Sequence, residues 1–227
     1  MTSNRDTTRI LDRTWFERHP VRVAFDLVAS GSILRSERDG AVVEGRIVEV
    51  EAYAGPTDLA SHAARMKAAR VLLSGLPGSL YVYRSYGIHT MLNIVAHEPA
   101  KTGGILIRGI DPLAGLEAMA ERRGPKARTL ATGPGVLTQA FAVRLDDVGR
   151  DLLTDETFSL RCDAAADWVQ PPHEVAVSPR IGISRGLSAD WRLFVPGAVG
   201  VSVHSRGRVV TASSLNALIP PDGTIVE

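Results

Sequence analysis

The sequence predicts a single compact α+β domain, built on a curved, mainly antiparallel sheet with surrounding helices and a protruding β-hairpin. Strand-like and helix-like segments are mixed without a regular strand–helix alternation, and no linker rich in Pro, Gly or Ser divides the chain. At 227 residues the chain is long enough for one sizeable core. We expect residues 1–20 to form a flexible N-terminal segment and residues 21–227 to form the domain.

The first half of the chain predicts one helix followed by strands. Apolar residues at helical spacing predict a helix over residues 21–34. Alternation with a period of two predicts one strand or a pair of strands over residues 41–53, ended by Gly55-Pro56. Residues 79–83 predict a further strand, which returns after a hairpin tip at residues 84–87.

The second half predicts a buried strand, two helices and short strands. The buried strand covers residues 104–109. Asp111-Pro112 supplies an N-cap and a first-turn residue, which predicts a helix that ends at residues 122–124. Gly133-Pro134 predicts the start of a second helix, and the remainder predicts short strands and loops.

The composition excludes several classes of protein. No run approaches the ~20 apolar residues of a membrane helix, and the N-terminal region lacks the apolar core of a secretory signal. A lone Cys162 excludes an internal disulfide and a Cys-rich zinc site, and no histidine spacing predicts a metal site. We therefore expect a cytoplasmic monomer with no cofactor, no metal and no membrane partner.

Charge is unevenly distributed, although the net charge is only +1. Residues 60–130 hold ten Lys or Arg against four Asp or Glu, whereas residues 145–175 hold eight acidic residues against two arginines. The first region could meet phosphates that the second region repels. Scattered surface charge is the alternative interpretation.

Glu51 and Tyr53 lie side by side at the predicted end of a strand. Strict alternation puts Ile47 and Glu49 on the same face as these two residues. The opposite face is expected to pack in the core, and it consists of Val48, Val50 and Ala52. A solvated strand face is the alternative for Glu51, and it is the expectation for Glu49.

All four tyrosines of the chain fall between residues 53 and 86. Tyr81 and Tyr83 share one face of the predicted hairpin, and Tyr86 lies at its tip, where it is poorly placed for burial. An aromatic residue in such a place can act as a wedge between the base steps of DNA. A tyrosine folded back over the hairpin is the alternative, and Tyr81 is expected only to pack within the hairpin.

Four motifs in sequence order resemble one known family. They are RIVEVEAYAGPTDLASH from residue 46, LYVYRSYGIHTMLNIV from residue 80, ILIRGIDPLAGLE from residue 105 and LATGPGVLTQAF from residue 130. Together with a weaker match at residues 180–184 (RIGIS), they resemble the alkyladenine family of 3-methyladenine DNA glycosylases.

The resemblance implies an enzyme that flips a damaged purine out of duplex DNA and hydrolyses its bond to the sugar. In that family the Glu of the EAY motif, here Glu51, positions and deprotonates the attacking water. Arg108 matches the arginine beside that water, and the backbone carbonyl of Ile181 matches the group that completes its cradle. An alkylated purine such as 3-methyladenine is already cationic, so it leaves with little acid assistance.

The same resemblance assigns the base pocket and the wedge. Tyr53, His62 and Tyr83 match the walls that stack on the flipped base. Asn93 matches the residue that crowds the 2-amino group of guanine, and Leu106 is expected to line the pocket floor.

Contacts with double-stranded DNA containing damaged purines complete this assignment. Tyr86 matches the residue that is inserted into the vacated stack. Charge and position suggest DNA-backbone contacts at Arg65, Lys67, Arg70 and Arg84. The N-terminus of the helix after Thr132 and Gly133 could bind another phosphate.

A monofunctional enzyme without lyase activity is expected, because lyases usually form a Schiff base through an amine. The chain has three lysines, Lys67, Lys101 and Lys126, and none lies in the Glu51 motif. Two other functions stay open: a non-catalytic module that binds damaged DNA, and a nucleosidase-like hydrolase of small N-glycosides.

Overall fold

The sheet is organised around one long central strand, β2. The computed structural model describes residues 11–162, 173–204, 207–220 and residue 225. The strands are β1 (Ile33–Arg38), β2 (Ala41–Tyr53), β3 (Leu80–Ser85), β4 (His89–Val95), β5 (Gly104–Ala114), β6 (Phe158–Arg161), β7 (Val175–Ser178), β8 (Arg192–Phe194) and β9 (Arg208–Val210). The helices are α1 (Arg13–Phe16), α2 (Pro20–Ala29), α3 (His62–Arg65), α4 (Lys67–Leu73), α5 (Leu116–Arg123) and α6 (Pro134–Ala140). Two short 3₁₀ helices cover Leu145–Asp147 and Ala212–Leu218.

The strand order explains why both edges of β2 are paired with other strands. The order is β3-β4-β5-β2-β8-β7-β9, while β1 pairs with β2 and with β6. β5 follows one edge of β2, whereas β1 covers residues 41–46 and β8 covers residues 49–51 of the other edge. Every strand pairing among the described residues is antiparallel, so the predicted α+β class with a mainly antiparallel sheet is confirmed.

The predicted strict alternation along β2 is wrong at its centre. The register against β5 shifts between Ile47 and Glu49 and again between Glu49 and Val50. Ile47 consequently packs in the main core together with Val50, whereas Val48 packs in a smaller cluster with Phe194. A bulge adds a residue to one strand and changes which face the following side chains occupy.

Helix α2 is the most deeply buried helix of the fold. Eight of its ten residues are buried, and Pro20 occupies its first turn. The helix ends at Ala29, five residues earlier than predicted, because Gly31 adopts a positive φ and Ile33 starts β1 opposite Arg46. No helix in the described parts of the chain is long and apolar enough to span a membrane.

The predicted flexible segment is described only in part. Residues 1–10 lie outside the described residues, whereas Arg13–Phe16 forms α1 and Phe16 is fully buried.

The helix predicted at Asp111-Pro112 is wrong, since β5 runs through these residues to Ala114. Asp111 pairs with Arg46, and a bulge takes up the residue after Pro112. A proline is tolerated in a strand at such a bulge, where the ladder is already interrupted. The helix starts instead after Gly115, whose φ of 72° and close approach to the Val42 carbonyl require glycine. The predicted helix end at Gly124 and the predicted start of the second helix at Gly133-Pro134 are confirmed.

His19 caps α2 and predicts acid-sensitive stability. Its Nδ1 accepts a hydrogen bond from the Val21 N–H at 3.3 Å, which protonation of that nitrogen would abolish. Burial, assisted by Arg22, lowers the pKa of His19 to about 4. Because the folded pKa lies below the unfolded value of about 6.5, the stabilising contribution is complete above pH 6.5 and is lost as the pH falls towards 4.

The test compares the wild type with His19→Asn, since asparagine keeps a cap acceptor but does not titrate. Urea unfolding at pH 7.5 and pH 4.5 should show that the wild type loses about 2 kcal/mol more than the variant. Taking the difference between the two proteins cancels the titration of carboxylates. Equal losses of unfolding free energy in the two proteins would show that the pKa of His19 does not change on unfolding.

Candidate active site

Glu51 lies near the end of β2, where strands flank it on both sides. It is opposite Leu106 of β5 and Arg192 of β8, and its side chain is fully buried. Three donors hold its carboxylate. The Tyr53 hydroxyl donates to Oε2 at 2.7 Å, the Ile181 N–H donates to Oε1 at 2.7 Å, and Arg108 Nη1 lies 3.2 Å from Oε1.

These contacts leave the carboxylate oriented and able to accept one further donor. A carboxylate offers about four acceptor sites, and three are occupied here. The guanidinium of Arg108 supplies the opposite charge that a buried carboxylate requires. Ile181 is at the site through its N–H, whereas the carbonyl was the atom expected from the sequence; a role for that carbonyl stays a prediction.

Three aromatic rings form a wall beside the carboxylate. The rings of His62 and Tyr83 meet edge to face with centroids 4.4 Å apart, and Tyr81 stacks on Tyr83 at 5.4 Å. Nδ1 of His62 also lies 3.0 Å from the Tyr81 hydroxyl. Tyr81 was expected only to pack within the hairpin. It also orients the His62 ring through this contact.

These rings are uncharged near neutral pH. Burial raises the pKa of Tyr81 and of Tyr83 to about 12. Burial and the neighbouring Glu51 carboxylate raise the pKa of Tyr53 well above its ordinary value. Burial, followed by the charge of Arg65, lowers the pKa of His62 and favours the neutral imidazole. The wall consequently presents neutral π-faces.

A cavity of about 470 Å³ opens in front of this wall. It brings together most of the residues singled out in the sequence, namely Glu51, Tyr53, His62, Arg65, Tyr83, Tyr86, Asn93, Leu106, Arg108 and Ile181. Among the described residues, no group of three or more His, Cys, Asp or Glu side chains could hold a metal ion.

Asn93 is fixed in orientation on β4. It is opposite Leu106 of β5, and its amide nitrogen donates to the Tyr81 carbonyl at 3.0 Å. Asn93 is buried, and its amide therefore presents a fixed edge to the cavity.

The hairpin of β3 and β4 displays Tyr86 at its tip. Tyr86 and Gly87 both have positive φ, 50° and 70°, and the Ile88 N–H donates to the Ser85 carbonyl at 3.1 Å. These are the features of a type I′ turn, whose second position favours glycine. Tyr86 is 89% exposed, so it does not fold back over the hairpin.

The expected DNA-backbone residues fall into two groups. Arg65, Lys67, Arg70 and Arg84 are exposed, and Arg65 lines the cavity. Thr132 forms a bridge with Gly109, and the Gly133 N–H donates to the Arg108 carbonyl at 2.9 Å. That N–H is thus already used to hold α6 beside Arg108.

Glu49 is not on a solvated face, and that prediction is wrong. Its side chain is fully buried, and its Oε1 accepts from Arg108 Nε at 3.2 Å and from Arg192 Nε at 2.7 Å. Burial alone would raise the pKa of Glu49, but the Ser202 N–H and the two arginines outweigh it and lower that pKa. The Arg192 side chain from β8 and the segment at Ser202 cover the face that alternation had assigned to solvent.

A second buried ion pair supports the loop that carries Ile181. Arg180 and Asp58 are both fully shielded from solvent, with Nη1 of Arg180 2.6 Å from Oδ2 of Asp58. The guanidinium also lies 4.8 Å from the centre of the Tyr53 ring and donates to the Gly186 carbonyl. The loop 181–185 is thereby held at one end by Glu51 and at the other by Arg180.

Sequence reasoning missed several residues of this site. Arg180 and Arg192 have partners more than a hundred positions away, so no local motif signals them. Arg185 lines the cavity mouth without a hydrogen bond or ion pair among the described residues. Met91 lines the same cavity, and its alternation with Asn93 along β4 is a signal that could have identified it.

Comparisons with known proteins identify the family of the chain. The family model for methylpurine-DNA glycosylase (MPG) matches residues 14–199. A protein of Chlorobium phaeobacteroides is 40% identical over 82% of this chain and 93% of its own length, and one of Burkholderia lata is 41% identical over 83% and 88%. A protein of Chlorobaculum tepidum is 42% identical over 75% and 80%, and all three are named "Putative 3-methyladenine DNA glycosylase". The chain belongs to the methylpurine-DNA glycosylase family.

Proposed function

We propose that the protein is a monofunctional DNA glycosylase of base excision repair. It hydrolyses the N-glycosidic bond of alkylated or deaminated purines that are flipped from duplex DNA. The observation that carries the proposal is the buried Glu51 carboxylate, held by Tyr53, Ile181 and Arg108 beside an aromatic cavity.

Glu51 suits the role of general base for water. Its Oε2 keeps one free acceptor site, which can orient a water molecule and take its proton. As the bond to the purine breaks, positive charge develops on the sugar, and the nearby carboxylate stabilises it. The water oxygen then bonds to the sugar, which leaves an abasic site. A cationic alkylated purine departs as the neutral base, whereas hypoxanthine departs as an anion that takes a proton from water.

The neutral aromatic wall suits a flat, electron-poor base. Tyr53, His62 and Tyr83 all line the cavity and can stack on a purine, at ~1–3 kcal/mol per base. A cationic alkylated purine gains further attraction from the π-faces. The volume of about 470 Å³ lies within the usual range of small-molecule sites.

Selection against normal guanine fits the fixed position of Asn93. Its anchored amide cannot swing away from a 2-amino group, because the bond to the Tyr81 carbonyl holds it. An added exocyclic amine would therefore meet a buried side chain, which disfavours that base. Leu106, opposite Asn93 in the sheet, supplies an apolar floor.

Tyr86 suits insertion into the space that the flipped base leaves. Flipping costs a few kcal/mol, less at a lesion that pairs badly, and a wedge offsets part of that cost. The type I′ turn holds the ring outside the fold without help from core contacts.

Arg185 is proposed as an additional phosphate contact at the cavity mouth, beside the predicted Arg65. Arg185→Ala should weaken binding to undamaged duplex about eightfold at 0.1 M salt and reduce the slope of log K against log salt by about 0.9. Fluorescence anisotropy across a salt series measures both quantities. Arg161→Ala is the matched control. Arg161 is a partly exposed arginine on β6. Among the described strands β6 pairs only with β1, and Arg161 does not line the cavity. An unchanged salt slope for Arg185→Ala would remove it from the DNA contacts.

One assay tests the proposed activity against the alternatives. A duplex with a single hypoxanthine or alkylated adenine is incubated with the protein, and abasic sites are then cleaved with alkali. We expect cleavage at the lesion with alkali and none without it, since none of the described residues that line the cavity is a lysine. Binding without abasic product for any alkylated or deaminated purine would favour a non-catalytic module. Hydrolysis of free nucleosides at rates like those for duplex would favour a nucleosidase.

A further inference from the structure

A buried cluster of four charged side chains lies behind the cavity. It contains two carboxylates, Glu49 and Glu51, and two guanidinium groups, Arg108 and Arg192. All four side chains are at most 8% exposed. The cluster is neutral as a whole, so the loss of any one charge leaves an unbalanced charge within ~4–6 Å of Glu51 or its partners.

Arg108 is shared between the two carboxylates. Its Nε donates to Glu49 at 3.2 Å, its Nη1 lies 3.2 Å from Glu51, and its Nη2 donates to the Ser202 hydroxyl at 3.4 Å. Each nitrogen of the guanidinium therefore has a different partner. The group cannot turn toward Glu51 without leaving Glu49.

Glu49 also holds the third partner of Arg108. The Ser202 N–H donates to Oε2 of Glu49 at 2.6 Å, and the Ser202 hydroxyl donates to Oε1 at 2.9 Å. One carboxylate thus fixes both the guanidinium and the loop residue against which it rests.

We propose that Glu49 is a positioning residue for excision: it holds Arg108 in place beside Glu51 and balances the charge of Arg192. Without this charge, Arg108 would be free to form a closer pair with Glu51 and occupy the acceptor site intended for water. The cluster would also carry a net charge of +1, which favours the ionised form of its remaining carboxylate. This inference rests on the proposed glycosylase activity.

Other charged and titratable groups face the cluster, and they are left unchanged in every variant that is compared. They are Tyr53 on β2, Tyr83 on β3, and the pair of Arg180 and Asp58 next to Ile181.

The test is single-turnover excision of hypoxanthine at saturating enzyme, measured from pH 4.5 to pH 8. Glu49→Gln should lower the rate constant at pH 7 at least tenfold and move the midpoint of the acid limb down by about one pH unit. Glu49→Asp keeps the charge but is one methylene shorter, so the rate should fall while the midpoint stays. The double variant Glu49→Gln, Arg192→Gln is again neutral, so its midpoint should return toward that of the wild type.

The outcomes separate positioning from mere structural support. A purely structural role predicts lower thermal stability with the midpoint unchanged in Glu49→Gln, and that result would overturn the proposal. If Glu49→Gln does not fold, a Glu49→Asp variant that keeps the wild-type rate constant would overturn the proposal instead. A wild type that is inactive on every lesion would reject the proposed function itself. An active wild type whose Glu49 variants keep its rate constant and midpoint would reject only the role of Glu49.

Discussion

Glu51→Gln is expected to lower the single-turnover excision rate by about four orders of magnitude while leaving duplex binding within a few-fold of the wild type. Removal of a general base costs about 10²–10⁴-fold, and loss of the carboxylate charge beside a cationic sugar adds to this. The glutamine oxygen can still accept from the Ile181 N–H and from Arg108, so the local geometry should survive.

A matched control tests whether the effect belongs to this carboxylate. Glu37→Gln changes a glutamate that is 55% exposed and paired with Arg35 on β1, and it should leave excision and binding unchanged. Rates are measured on the hypoxanthine duplex with enzyme in excess, and binding is measured by anisotropy on the same duplex. A Glu51→Gln rate within tenfold of the wild type would exclude Glu51 as the general base.

Asp58→Asn is expected to lower the free energy of unfolding by about 4 kcal/mol, because it leaves Arg180 buried without a counter-charge. The geometry makes the substitution worse than a simple loss of charge. Oδ1 of Asp58 accepts from the Ala60 N–H and from Arg180 Nη2, while Oδ2 accepts from the Ala54 N–H and from Arg180 Nη1. An asparagine has one oxygen for these four donors, so its NH₂ group must face two of them.

Urea unfolding of Asp58→Asn and of Asp39→Asn compares the loss of a buried ion pair with the loss of an exposed one. Asp39 pairs with Arg144 at the surface, where both side chains are more than half exposed, so its loss should cost less than about 0.5 kcal/mol. Equal effects of the two substitutions would show that the buried pair is no stronger than the exposed one.

That these residues would lie around one cavity was predictable from the sequence, because their motifs lie on adjacent elements. Glu51 and Tyr53 are two residues apart on β2, and Tyr83 and Asn93 lie on the two strands of one hairpin. Local chemistry also specified the hairpin, since Gly87 provides the positive φ that a type I′ turn requires.

The errors arose where a distant segment decides the local structure. Alternation along β2 could not reveal that the Arg192 side chain packs against Glu49, because this contact spans 143 residues. Asp111-Pro112 has the pattern of a helix start, but pairing with β2 keeps it in a strand. Tertiary contacts outweighed local preference at both positions.

The construction of the hairpin tip bears on how such a protein can be re-engineered. Apart from its chain neighbours, nothing lies within 4 Å of a Cβ placed at Gly87, and Tyr86 and Ile88 are 89% and 74% exposed, so the tip contributes little to the stability of the fold. Residues 84–89 can therefore be randomised as a cassette, and variants can be selected for altered lesion preference without a companion search for stabilising mutations. Tyr86, the proposed wedge, and Gly87 both have a positive φ, so these two positions of the cassette are kept constant.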